Sequence, residues 1–193
     1  MSALSRICLF CGSSSGLDPA YSRAIIDLTE TMAARHIGLV YGGAHVGLMG
    51  LAADTILAAG GRAYGVIPQS MVDREIAHKG LTELHIVTTM HQRKALMADL
   101  ASAFIAAPGA YGTLDELCEI LTWAQLEIHS KPIGLLNTNG YWDPLLVMLD
   151  RAVEAGFLKA KNRALVLVDS EPASLIDKLA ERSNFYNTPG YLA

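Results

Sequence analysis

Seven short apolar runs alternate with helical segments along this 193-residue chain, and that alternation leaves few folds open. The runs are RICLFC (6–11), IGLVYG (37–42), RAYGVI (62–67), LHIVTT (84–89), AFIAA (103–107), PIGLLN (132–137) and ALVLVD (164–169). Helical periodicity falls near 19–35, 46–59, 90–101, 113–127, 143–155 and 171–182, with one longer irregular segment at 68–82. Strands apolar on both sides and separated by helices pair in parallel through right-handed crossovers. The expected fold is a single α/β domain over 1–193: a doubly wound, Rossmann-like parallel sheet with helices on both faces. No linker, repeat or low-complexity stretch interrupts it.

Composition agrees with a buried sheet. Hydrophobic residues make up 51% of the chain and charged residues 18%, and a chain of this length buries roughly 70% of its unfolded surface. A net charge of −4 lacks the basic excess of a nucleic-acid protein, so no nucleic-acid partner is expected. The opening MSALSRICLFCGSSSG has four apolar residues between Arg6 and Cys11, too few for a signal-peptide core or a membrane span. The longest apolar helix, near 46–59, carries Asp54. A cytoplasmic protein with no membrane partner is the expectation.

Three cysteines do not form a disulfide framework. Cys8 and Cys11 stand three apart on a strand, so their side chains face opposite sides of the sheet and no redox pair is expected. The six histidines are scattered, with no H-E-x-x-H and no Cys/His cluster. No metal and no cofactor are expected.

Ligands of doubly wound sheets bind beyond the carboxyl ends of the strands. Three glycine-rich loops lie there: CGSSSG (11–16), containing Ser13; YGGAHVGLMG (41–50), containing Gly43; and PGAYGT (108–113). Each joins a strand to a helix, where free amides and the helix dipole favour an anion. Neither G-x-x-x-x-G-K-[ST] nor a strict G-x-G-x-x-G after the first strand occurs, which counts against nucleotide triphosphate hydrolysis and dinucleotide redox chemistry.

Three segments offer chemistry, each with a plainer alternative. Thr113-Leu114-Asp115-Glu116 fits a capping box, with Thr113 as N-cap and Glu116 reaching back. The same residues would also put a hydroxyl on a phosphate and a carboxylate one turn inside, near a sugar's anomeric carbon. MHQRKALM (90–97) begins a helix with Arg93 and Lys94 in its first turn, either as solvated surface cations or as phosphate or base contacts. Glu75, in VDREIAHKG, is either a solvated loop acid or part of a substrate loop.

Taken together, YGGAHVGLMG, MHQRK and PGAYGTLDE resemble the Lonely Guy (LOG) family, whose hallmark is P-G-G-x-G-T-x-x-E and whose members carry an older lysine decarboxylase label. The resemblance runs from CGSSSG through TWAQLEIHSKPIGLLNTNGYWDPLL to about residue 165. It implies a Rossmann-like homodimer that hydrolyses the N-glycosidic bond of cytokinin riboside 5′-monophosphates, with relatives acting on AMP. Free base and ribose 5-phosphate are the implied products, and no cofactor or metal takes part. Carried over by motif, Arg93 and Glu116 form the catalytic pair, with Lys94 beside them. The loop Gly109, Ala110, Tyr111, Gly112, Thr113, Leu114 and Asp115 would bind the nucleotide, with Gly112 and Thr113 at the phosphate. Glu75, Met90 and Thr122 would complete the substrate contacts, with Ser13 and Gly43 in the other two glycine loops. One departure stands out: Ala110 replaces the family's second glycine, which would cost about 1 kcal/mol if that residue had to be left-handed. A carrier of nucleotides with the same fold but no hydrolysis is the alternative reading.

Overall fold

The computed structural model describes residues 4–186 apart from Glu75. All seven expected strands form: β1 (Arg6–Phe10), β2 (Gly38–Tyr41), β3 (Ala63–Pro68), β4 (Glu83–Val87), β5 (Ala103–Ala106), β6 (Ile133–Leu136) and β7 (Val166–Asp169). They build one parallel sheet in the order β4-β3-β2-β1-β5-β6-β7. The chain winds outward from β1 to β4, then returns to the far side of β1, where Ile7 pairs with Ala103 of β5. That reversal between β1 and β5 opens the crevice in which ligands of this architecture sit.

Side-chain alternation explains the two cores. Ile7 and Leu9, with Cys11 just past β1, point into one cluster; Cys8 and Phe10 point into the other. Helices α1 (Pro19–Ala34), α2 (Gly47–Ala58) and α8 (Pro172–Tyr186) cover the first core, and a short α7 (Ala160–Arg163) leads into β7. Helices α4 (Met90–Leu100), α5 (Tyr111–Gln125) and α6 (Asp143–Glu154) cover the second. The strands buried on both faces, β2, β3, β5 and β6, are the ones whose sequences are apolar without a break, as parallel central strands require. Cys8, Cys11 and Cys118 are free thiols.

Two local expectations are corrected. The segment 68–82 is not wholly irregular: it contains α3 (Gln69–Val72) and an antiparallel bridge between Ala44 and Ala77. Helix α5 begins three residues earlier than its capping-box reading required, with Ala110 rather than Thr113 as N-cap and no side-chain cap. Thr113 and Glu116 therefore lie inside the helix, and no capping box forms there. The capping box in this region belongs to α4, where Thr89 accepts from the Gln92 amide and the Gln92 side chain accepts from the Thr89 amide. T-M-H-Q carries that signature as plainly as T-L-D-E. The two motifs differ in whether the preceding turn leaves the threonine outside the helix.

Candidate active site

The three glycine-rich loops meet at the carboxyl ends of β1, β2 and β5. The Gly12 amide donates to Pro108 O (3.0 Å), and the Leu48 amide donates to Gly12 O (3.1 Å), so each loop braces the next. Gly109 is needed for that approach: a Cβ there would stand 2.1 Å from Thr113 Oγ1 and 2.9 Å from Gly12 N. Between the loops lies a cavity of about 440 Å³, within the size range of small-molecule sites.

Arg93 and Glu116 form the floor. Arg93 comes from the first turn of α4 and Glu116 from the second turn of α5, and their side chains are each only 10% exposed. Arg93 Nη1 donates to Glu116 Oε1 at 2.9 Å, while its Nε donates to Val66 O at 3.1 Å. Gly42 makes room for this: a Cβ there would fall 1.9 Å from Arg93 Nη2. The reading of Arg93 as a solvated surface cation is therefore corrected. Burial pushes the Glu116 carboxyl above the ordinary glutamate range, with Arg93 opposing that rise.

Above the pair, α5 presents an uncapped N-terminus. The Ala110 carbonyl accepts from the Leu114 amide, but no side chain caps the first-turn amides. Such an end favours an anion through free N–H groups and the helix dipole. Thr113 is buried within the wall. Ala110 has φ −111°, so the left-handed backbone cost anticipated for it does not arise.

Ser13, Met90, Arg93, Gly109, Ala110, Gly112, Thr113 and Glu116 all line this one cavity. Other expected residues do not. Lys94 turns away from it, to Asp115 Oδ2 and Glu119 Oε1, both at 3.1 Å. Burial alone would lower its pKa, but these two carboxylates hold it above the ordinary value. Leu114 packs against the core, Tyr111 is 90% exposed, and Gly43 forms the turn after β2. The Thr122 hydroxyl donates to Cys118 O within α5. Glu75 lies outside the described residues.

Sequence reasoning singled out the segments 41–50 and 68–82 but not the residues of theirs that line the cavity, Leu48, Met49 and Met71, and it missed Tyr21 and Tyr141 altogether. Tyr141 was findable in principle, since it follows a strand at the same sheet edge. The others come from helix faces whose aim depends on packing. Cys11 also lines the cavity, but burial raises its thiol pKa far above the range of a thiolate nucleophile. Among the described residues, no group of three or more His, Cys, Asp or Glu is clustered for a metal, and no helix is long and apolar enough to cross a membrane.

A parallel sheet with its cavity at the strand-order reversal, walled by glycine loops and an uncapped helix end, defines a Rossmann-like α/β ligand-binding protein. Comparison with known proteins narrows this: the chain belongs to the LOG family of cytokinin riboside 5′-monophosphate phosphoribohydrolases. Residues 49–179 match a family model described as "Possible lysine decarboxylase". The chain is 49% identical over 178 residues to a probable cytokinin riboside 5′-monophosphate phosphoribohydrolase, LOGL2, of Oryza sativa subsp. japonica, covering 92% of this chain and 73% of that one. It is 48% identical over 180 residues to cytokinin riboside 5′-monophosphate phosphoribohydrolase LOG7 of Arabidopsis thaliana, covering 93% and 83%. Among solved structures, the Moco carrier protein of Chlamydomonas reinhardtii superposes with a TM-score of 0.70 at 19% identity, covering 93% of this chain and 98% of that one. The molybdenum cofactor binding protein of Rippkaea orientalis gives 0.68 at 20%, covering 91% and 95%. At those identities the likeness shows the shared fold alone.

Proposed function

We propose that this protein hydrolyses the N-glycosidic bond of N6-substituted adenosine 5′-monophosphates, and of AMP, to free base and ribose 5-phosphate. The observation that carries the reading is the buried Arg93–Glu116 pair facing a cavity at the uncapped N-terminus of α5. A 5′-phosphate on the first-turn amides and Thr113 would hold the ribose over Glu116. Its carboxylate would stabilise positive charge at the anomeric carbon and accept a proton from the attacking water. The water oxygen bonds to the anomeric carbon as the carbon–nitrogen bond breaks, and the base leaves with that bond's electron pair and takes up a proton. Arg93 would hold Glu116 in place and add positive charge near the phosphate. Among the described residues no lysine lines the cavity, although a pyridoxal-phosphate decarboxylase would need one to hold its cofactor, so the lysine decarboxylase description finds no support in these residues.

The test is incubation with AMP and with isopentenyladenosine monophosphate, measuring free base and ribose 5-phosphate by chromatography. Release of both products is expected, and the ratio of rates ranks the two substrates. Binding of nucleotide without release would favour the non-catalytic carrier instead.

Gly112 supplies an independent check. A Cβ added there meets no protein atom within 4 Å, so packing gives no reason for glycine in the first turn of α5. Gly112→Ala should leave the melting temperature unchanged or slightly higher, since alanine is favoured by about 0.5–1 kcal/mol in a helix. The methyl would stand where a phosphate approaches, so KM should rise. An unchanged KM would remove the phosphate from this turn.

A homodimer in the cytoplasm completes the proposal. In its support, the layer of α4, α5 and α6 leaves Leu126, Ile128, Val147 and Met148 more than half exposed, and α6 has no buried residue. Light scattering should return twice the chain mass of 20.7 kDa; a monomer mass would end the dimer proposal.

A further inference from the structure

The segment NTNGYWDP (137–144) after β6 has no part in the chemistry so far, yet it is built with care. Asn139 and Gly140 are both left-handed, at φ 52° and 70°, conformations that asparagine and glycine tolerate better than other residues. Asn137 Oδ1 accepts from the Trp142 amide at 2.7 Å, and Trp142 Nε1 donates to Ala106 O at 3.2 Å, tying the segment to the end of β5. Asn139 Nδ2 donates to Asp18 Oδ2 at 2.8 Å, tying it to the start of α1. These bonds deliver one side chain, Tyr141, to the cavity. Its ring lies edge-on between Tyr21 and Trp142, with centroids at 5.7 and 5.1 Å. Its hydroxyl donates to Gly109 O.

We propose that Tyr141 is a positioning residue that sets the Gly109–Ala110 peptide of the anion loop. In a trans peptide the C=O and the next N–H point in opposite directions. Holding Gly109 O toward Tyr141 therefore aims the Ala110 N–H away from it, and the rotation of that plane is decided at a residue with no side chain to restrain it. The loop reaches the ligand already oriented, so the phosphate does not have to order it. This inference rests on the phosphoribohydrolase reading and adds to it a residue that acts through the loop's backbone.

The experiment compares the parent with Tyr141→Phe, which keeps the ring contacts and removes only the hydroxyl. Turnover of isopentenyladenosine monophosphate is measured with ribose 5-phosphate and free adenine as separate inhibitors. KM and the inhibition constant of ribose 5-phosphate should each rise about tenfold, the size of one good hydrogen bond. The adenine constant should not move, kcat should stay within about threefold, and the melting temperature should hold. Equal weakening of both inhibitors, or no weakening of ribose 5-phosphate, would overturn the proposal. Should Tyr141→Phe melt early, Asn139→Gly keeps the left-handed turn and loosens the tie to Asp18. It should show the same selective loss, and an unselective one would count against Tyr141. A parent that neither turns over the nucleotide nor binds ribose 5-phosphate would instead sink the underlying reading.

Discussion

Glu116→Gln should retain nucleotide binding and lose at least about 100-fold in kcat, the scale of a positioned general base. The amide is isosteric and can still accept from Arg93 Nη1 in place of the 2.9 Å ion pair, so the cavity should keep its shape. What disappears is the negative charge and the basic oxygen that the proposed mechanism uses at the anomeric carbon. Calorimetric affinity close to the parent's, with base release lost, is the expected pair of results. A variant turning over like the parent would show that Glu116 is structural.

Arg93→Ala should do more damage, because it harms the site and the fold together. Removing one member of a buried ion pair leaves the other uncompensated, at a cost of about 3–5 kcal/mol, and Val66 O would lose its donor as well. We expect a clearly lower melting temperature and a fall in kcat/KM of about 100-fold or more. The pH dependence gives the sharper signature. Burial already holds the Glu116 proton more tightly than in the unfolded chain, and Arg93 opposes this. Folded Glu116 thus binds more protons than unfolded Glu116 between the ordinary glutamate value and its raised one, and its contribution to stability declines as pH rises through that window. In the parent, the acid limb of kcat/KM should lie above the ordinary glutamate pKa. Without Arg93 the limb of the residual activity should move to higher pH, and stability should fall more steeply as pH rises. A limb that stays in place would mean that Glu116 does not titrate in catalysis.

The contrast between Arg93 and Lys94 shows how far the sequence could be read. Both stand in one helical turn, and local rules treat them alike as exposed or ligand-binding cations. Tertiary packing separates them: Arg93 passes through the gap left by Gly42 to reach Glu116, and Lys94 clamps α4 to α5 through Asp115 and Glu119. The start of α5 shows the same limit. Thr113 and Glu116 have capping-box spacing, but the chain enters the helix at Tyr111, after a loop held by the Gly12 amide on Pro108 O and the Tyr141 hydroxyl on Gly109 O.

What the sequence determined by itself was periodic or local. The number of strands, their succession along the chain and their parallel class follow from apolar runs alternating with helices, and the three loops follow from glycine at strand ends. The family resemblance carried by those loops brought Arg93, Glu116 and the PGAYGT turn into one hypothesis. Tertiary structure alone decided that β1 and β5 are neighbours, that Arg93 is buried, and that Tyr21, Met49, Met71 and Tyr141 wall the cavity. The physical reason is range. Strand and helix periods arise from backbone geometry within a few residues, whereas the aim of a side chain across a crevice depends on how separate elements pack to exclude water and pair their buried charges.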